Sequence, residues 1–242
     1  VSPNDAPSVG EMVERLVATD NLPDELHGVQ HKVEEYGGGR KETRLEIWER
    51  LPNEVRSEVL SAETVREFDF EIELFTSAQT SHSESGEGTM VKNESGLITY
   101  DAEANQYHRY EYELPEEQSG YTTDPTLVGS TPQIDFDVTY DGRDTVAGRG
   151  THVLTFRPTE EADSFTQSFD FITMWVDAEY WFPLKHEANF QLRNEGIVQT
   201  TEEDVHNETY FQKHAFEEIE FDVDIEDSTF RFDPPKDAER VE

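Results

Sequence analysis

Carboxylates dominate the residues that could do chemistry: 55 of the 242 residues are Asp or Glu. An acid–base pair needs one carboxyl group in a desolvating pocket, where its pKa climbs into the working range. Acids are so frequent here that their spacing singles out no such pair. Eight histidines are scattered along the chain. His27 and His31 stand four apart, the spacing that on a helix puts two imidazoles on one face for zinc. Gly28 and the alternation that follows argue against a helix there, so they read as exposed or hydrogen-bonded histidines. The run DVDIED, 222–227, offers oxygen ligands but lacks the ligand spacing and turn glycine of a calcium loop, and reads as a solvated acidic edge. There is no cysteine, which excludes disulfides, thiolate nucleophiles and Cys-based zinc sites. Neither a glycine-rich phosphate loop nor a Gly-x-Ser-x-Gly elbow occurs. No enzymatic activity, metal or cofactor is expected.

The formal charge of −36, from 19 basic residues of which six are Lys, excludes a basic nucleic-acid surface and predicts repulsion from anionic membranes. A uniformly acidic, lysine-poor surface resembles that of proteins from extreme halophiles, where the Debye length falls to about 3 Å at ~1 M salt. Such charge also accompanies disorder, but the apolar pattern argues otherwise. Residues 67–75, EFDFEIELF, alternate strictly. So do 134–141, with Ile134, Phe136, Val138 and Tyr140, and 218–225, with Ile219, Phe221, Val223 and Ile225. This is the strand period. Further strands are predicted at 29–36, 41–50, 54–60, 89–93, 96–101, 105–113, 150–157, 181–192 and 196–212. One helix opens the fold: Ser8 caps it, Glu11 completes a capping box, and Met12, Val13, Leu16 and Val17 form an apolar stripe ended by Leu22-Pro23. Residues 76–89 read as a mobile loop, and a short helix is expected near Pro125–Val128. The stretch 169–192 is unusual. Ile172, Met174 and Val176 share one face of a strand while Phe171 and Trp175 occupy the other, so both faces need cover.

These elements resemble, in order and spacing, the LolA-type lipoprotein carriers and their relatives RseB and LppX. The resemblance is carried by the opening helix and by RLEIWERLPNEVRSEVLS (44–61), SGLITYDAEANQYHRYEY (95–112), VAGRGTHVLTFRP (146–158), FITMWVDAEYWFPLKHEANF (171–190) and DSTFRFDPPKDAERV (227–241). It implies an α+β fold in which a large curved antiparallel sheet, an open half-barrel of about a dozen strands, wraps around the N-terminal helix and one or two short helices. It also implies a non-enzymatic role: binding a lipid or lipoprotein acyl chain, or, on the RseB side, sensing and binding a membrane protein partner. One departure stands out. Where carriers commonly place an Arg before the turn proline to latch the lid, this chain has Leu51, with Arg50 one residue earlier on the opposite face.

A single domain over 1–242 is expected, with 1–7 as a linker-like start, and a monomer without nucleic-acid partners. The reading predicts an apolar cavity between sheet and helix, bordered by Val33, Ile47, Val59, Met174, Val176, Leu184 and Phe190, with Leu16 covering part of it. Trp48, Trp175 and Trp181 read as core or rim packing, and since Trp175 and Trp181 flank a turn, at least one of them can sit at the cavity mouth. No run of about 18 apolar residues crosses a membrane. The family's usual location implies an extracytoplasmic, cell-surface protein, tethered through a lipidated segment removed upstream of Val1. Asn93 and Asn207 begin N-glycosylation sequons.

Overall fold

Ser8 does cap the opening helix. In the computed structural model, which describes residues 7–18, 22–36, 38–66, 88–111, 132–163, 165–192 and 208–241, helix α1 spans Val9–Val17. The Ser8 hydroxyl accepts the Glu11 N–H at 3.3 Å, and the Glu11 carboxylate accepts the Ser8 N–H at 2.7 Å. Such a cap contributes about 1 kcal/mol. Met12 and Val13 are buried and Leu16 packs beside them, whereas Val17 is exposed and the helix stops there rather than at Leu22. The strand expected at 67–75, most of the 76–89 loop, the helix near 125–128 and Asn207 lie outside the described residues.

The strands are β1 Glu25–Tyr36, β2 Gly39–Arg50, β3 Glu54–Arg66, β4 Gly88–Asn93, β5 Gly96–Asp101, β6 Gln106–Tyr110, β7 Phe136–Val146, β8 Arg149–Pro158, β9 Phe169–Asp177, β10 Pro183–Leu192, β11 Glu208–Phe221 and β12 Glu239–Arg240. They form one curved, unclosed sheet in the order β12-β6-β5-β4-β3-β2-β1-β11-β10-β9-β8-β7. All neighbours are antiparallel except the two-residue β12, which runs parallel to β6. With α1 and the helical turn α2 (Pro132–Asp135), this is an α+β half-barrel.

Two alternating runs proved shorter than their pattern. Ile134 belongs to α2 and is exposed, so β7 begins at Phe136. β11 ends at Phe221 because Asp222 takes a positive φ of 53°, a conformation that leaves the extended region. Val223 and Ile225 therefore sit in an irregular tail, of which Ile225 is buried.

Residues directly opposite each other in a ladder share a face. The face that carries Met174, Leu154 and Phe156 is the one α1 covers: Met12 and Val13 join these residues with Ile172, Val176 and Phe190 in one apolar cluster. Burying each of the two helix side chains contributes roughly 1.5–3 kcal/mol. A second cluster, built around Leu26, Leu45, Ile47, Phe216 and Leu184, lies farther along. A third, of Val55, Met90 and Leu97, lies toward β5. Gly28 is required where a bulge draws β11 close, because a Cβ there would stand 2.6 Å from the Glu218 carbonyl oxygen.

Candidate functional site

The turn between β9 and β10 shows how the sequence shapes this face. The Asp177 side chain is 2% exposed; one of its oxygens accepts the N–H groups of Glu179 and Tyr180, at 2.9 and 2.8 Å, and the other accepts Arg149 Nε at 2.6 Å. Arg149 follows the two-residue hairpin turn Ala147-Gly148, both at positive φ, the geometry such turns need. The Ala-Gly-Arg and Trp-Val-Asp stretches are thus two halves of one buried ion pair. That pair fixes the backbone leading to Trp181, which adopts φ 57° and donates its N–H to the Asp177 carbonyl at 3.1 Å.

Trp181 is buried within the cluster under α1. The His152 ring stacks on it at 5.2 Å, and the Arg15 guanidinium of α1 lies 5.2 Å from its centroid. Burial holds the His152 imidazole below its ordinary pKa, with Arg143 and Arg15 adding to the effect. This aromatic–cation stack joins the helix to the sheet. Trp175 points to the other face, where its Nε1 donates to Asp144 at 3.0 Å and Lys185 Nζ lies 3.6 Å from its ring. Phe171, on the same face as Trp175, is covered by the Arg157 guanidinium at 5.7 Å. Both faces of the apolar strand are therefore covered, one by a helix and one by cations.

The expected cavity residues divide. Met174, Val176 and Phe190 gather under α1, and Leu16 packs against them. Ile47 and Leu184 belong to the second cluster, with Val59 half-buried beside it. Val33 is not among these clusters. Register pairs it with Glu42 and Lys213, whereas Lys32 is the residue on the helix-covered face. Within a strand as irregularly patterned as VQHKVEEY, composition could not reveal which parity faces inward.

Register also aligns side chains that no sequence spacing links. Lys32 lies opposite His214, His214 opposite His186, His186 opposite Met174, and Met174 opposite Leu154. Three basic side chains thus run in a row across the face and meet the apolar cluster. The His186 and His214 rings are 4.4 Å apart, and Gln212 Nε2 is 3.4 Å from His186 Nε2. Burial lowers the Lys32 pKa, opposed by Glu34 and Glu49 and reinforced by Lys41; burial, with His186 and Lys32, puts His214 well below the ordinary imidazole value. Yet both are only half-buried by surface. Lys32 and His214 thus sit on the helix-covered face and keep part of their surface accessible. Gln30, Gln212 and His186 complete a buried polar belt between the two apolar clusters.

The other features singled out from sequence have structural employment. His27 and His31 are on β1 and each meets a glutamate of β2, Glu46 at 2.9 Å and Glu42 at 3.0 Å. Among the described residues no group of three potential ligands could hold a metal. Asp222 accepts the Tyr180 hydroxyl at 2.7 Å, and Asp227 pairs with Arg50. Arg50 also bonds Glu25 and Glu54 and lies 4.9 Å from the Phe230 ring, so it latches the C-terminal segment rather than α1. The Asn93 amide nitrogen donates to the Phe230 carbonyl at 2.8 Å, a bond that glycosylation would have to displace. A concavity of about 400 Å³ lies elsewhere, with acidic walls at Glu46, Glu217, Glu218 and Glu220. No helix of the described residues is long and apolar enough to cross a membrane.

The fold and this face define an unclosed antiparallel half-barrel with a helix on its apolar side. Compared with known proteins, no family model matches the chain. An uncharacterized protein of Methanocaldococcus jannaschii is 27% identical over 139 residues, 57% of this chain and 33% of that protein, so the match spans a third of its length. An uncharacterized conserved protein of Thermus thermophilus is similar in fold, with 14% identity, 97% and 99% of the two chains covered and a TM-score of 0.49. MucB in the MucA/MucB complex of Pseudomonas aeruginosa follows, with 15% identity, 92% and 60% covered and a TM-score of 0.48. A LolA superfamily protein of Nitrosomonas europaea gives 9% identity, 94% and 99% covered and a TM-score of 0.34.

Proposed function

We propose that this chain is a non-enzymatic binding protein that holds an acyl chain of a lipid or lipoprotein against the helix-covered face of its sheet, outside the cytoplasm. One observation carries the reading: between the apolar clusters of this face runs a row of polar side chains, Lys32, His214 and His186, of which the first two keep accessible surface. A protein built only for stability fills such a face with apolar side chains, because close packing maximises dispersion contacts. A binding face needs apolar area for a chain and a few polar groups to orient it. An acyl chain gains roughly 0.8 kcal/mol per CH₂ removed from water, so ten methylenes against Met174, Leu154 and their neighbours offset a large loss of ligand freedom. Helix α1 is the element to move: nine residues held by a cap, two buried side chains and the Arg15–Trp181 contact can swing without unravelling the sheet.

The test is titration of a fluorescent fatty acid in molar KCl. Saturable binding, displaced by an unlabelled acyl ester, is the expected result. Without saturable binding the carrier reading fails, and a module whose surface binds a protein partner takes its place.

A further inference from the structure

We infer that the ligand of this face is an anionic amphiphile, its headgroup received by Lys32 and His214 and its chain laid along the apolar cluster that begins at Met174. The inference rests on the carrier reading and adds a headgroup to it. Its basis is a juxtaposition made by register alone: Lys32, His214 and His186 come from β1, β11 and β10 and stand side by side, with Met174 next in the row. In a chain of net charge −36, carboxylates are plentiful, and Arg40, Arg44, Arg50, Arg56, Arg149 and Lys185 pair with them. Among the described residues Lys32 forms no ion pair. Glu34 and Glu49 reach it only as more distant charges, opposed in part by Lys41. Glu34 is already engaged, since it accepts the Tyr210 hydroxyl.

A partly desolvated ammonium with no carboxylate in direct contact carries an uncompensated cost. A docked anion relieves that cost, and the neighbouring imidazole supplies a second donor. The chemistry specified is a compact anionic head, carboxylate or phosphate, joined to an apolar tail. Long-range repulsion by the acidic surface does not prevent this. Molar salt screens exposed charges beyond a few Å, while a contact with partly buried groups is screened less.

The experiment compares laurate with methyl laurate, which has the same chain and no charge, on the full chain in molar KCl. Wild type should bind laurate about tenfold or more tightly than the ester, the scale of one charge-assisted hydrogen bond. Lys32→Met keeps the aliphatic stem and removes the charge, so it should bring the two ligands within about twofold while ester affinity stays. His214→Gln is measured in parallel, with folding of both variants checked by circular dichroism; a smaller loss of the same preference is expected. If wild type binds both ligands equally, or both folded variants keep the full preference, the headgroup inference is wrong and the carrier reading stands. If neither ligand binds saturably, the carrier reading falls and this inference with it. Acetate binding as tightly as laurate would mean a site for free small anions and would overturn the amphiphile.

Discussion

Arg149→Met deletes the guanidinium facing Asp177 and leaves the carboxylate behind. At 2% exposure that carboxylate cannot regain water unless the β9–β10 turn opens, whereas Arg149 itself is 27% exposed. Removing one partner of a buried ion pair costs about 3–5 kcal/mol. The Glu179 and Tyr180 N–H groups still donate to Asp177, which puts the expectation at the lower end, about 3 kcal/mol. Loss of the guanidinium over Tyr180 and Phe221, at 5.3 and 4.8 Å, adds about 0.5–1 kcal/mol. Asp177→Asn is the informative contrast. It keeps an acceptor for the turn, and the released Arg149 is near water and within 3.2 Å of Glu179, so it should cost only about 1–2 kcal/mol. The assay is urea denaturation at constant molar KCl, because guanidinium chloride would change ionic strength as it denatures. A cost below about 1 kcal/mol for Arg149→Met, or a larger cost for Asp177→Asn, would refute the buried-pair argument.

Compactness should require salt: circular dichroism from ~0.1 to ~3 M KCl should show the sheet signal rising, since unscreened repulsion among so many carboxylates opposes folding; equal stability at both ends would end the halophilic reading. His152 and His214 are both held below the ordinary imidazole value. As pH falls below about 6.5 the unfolded chain therefore takes up protons that the folded chain refuses, and stability drops by at most about 1.4 kcal/mol per pH unit per group until the folded values are reached. Melting curves between pH 8 and 5 should show wild type losing more Tm on acidification than the His152→Gln/His214→Gln variant; parallel profiles would contradict the assignment. Val176→Asp puts a charge where the side chain has 0% exposure and should abolish fatty-acid binding and destabilise the fold by several kcal/mol, while Glu187→Gln on the opposite face should leave binding intact. Arg50→Met should release the segment around Asp227–Phe230, read as faster proteolysis there with the binding face unaffected.

The sequence by itself determined the elements whose information is local. Ser8 and Glu11 announced the helix start because a capping box is a contact between neighbours in the chain. Alternation placed Ile172, Met174 and Val176 on one face of a strand because side chains in a strand repeat every second residue. The order of the motifs fitted an open half-barrel. Alternation overran at Ile134 and at Val223, where a helical turn and the left-handed backbone of Asp222 ended strands that the apolar pattern would have continued.

Tertiary structure alone decided the site. A strand's period says which residues share a face, but it cannot say which face meets the helix. Val33, expected at the cavity, is buried, but register puts Lys32 in the row that reaches Met174. Nor can the period say which rows align across strands: Lys32, His186 and His214 are separated by more than 150 and by 28 residues along the chain, and only the ladders bring them into line. The cover over Phe171 and Trp175 was hidden for the same reason. Arg157 and Lys185 reach them from adjacent strands, where long cationic stems lie over aromatic rings. Local sequence encodes periods and caps; register, bulges and curvature arise from long-range pairing, and they placed these bases beside an apolar face.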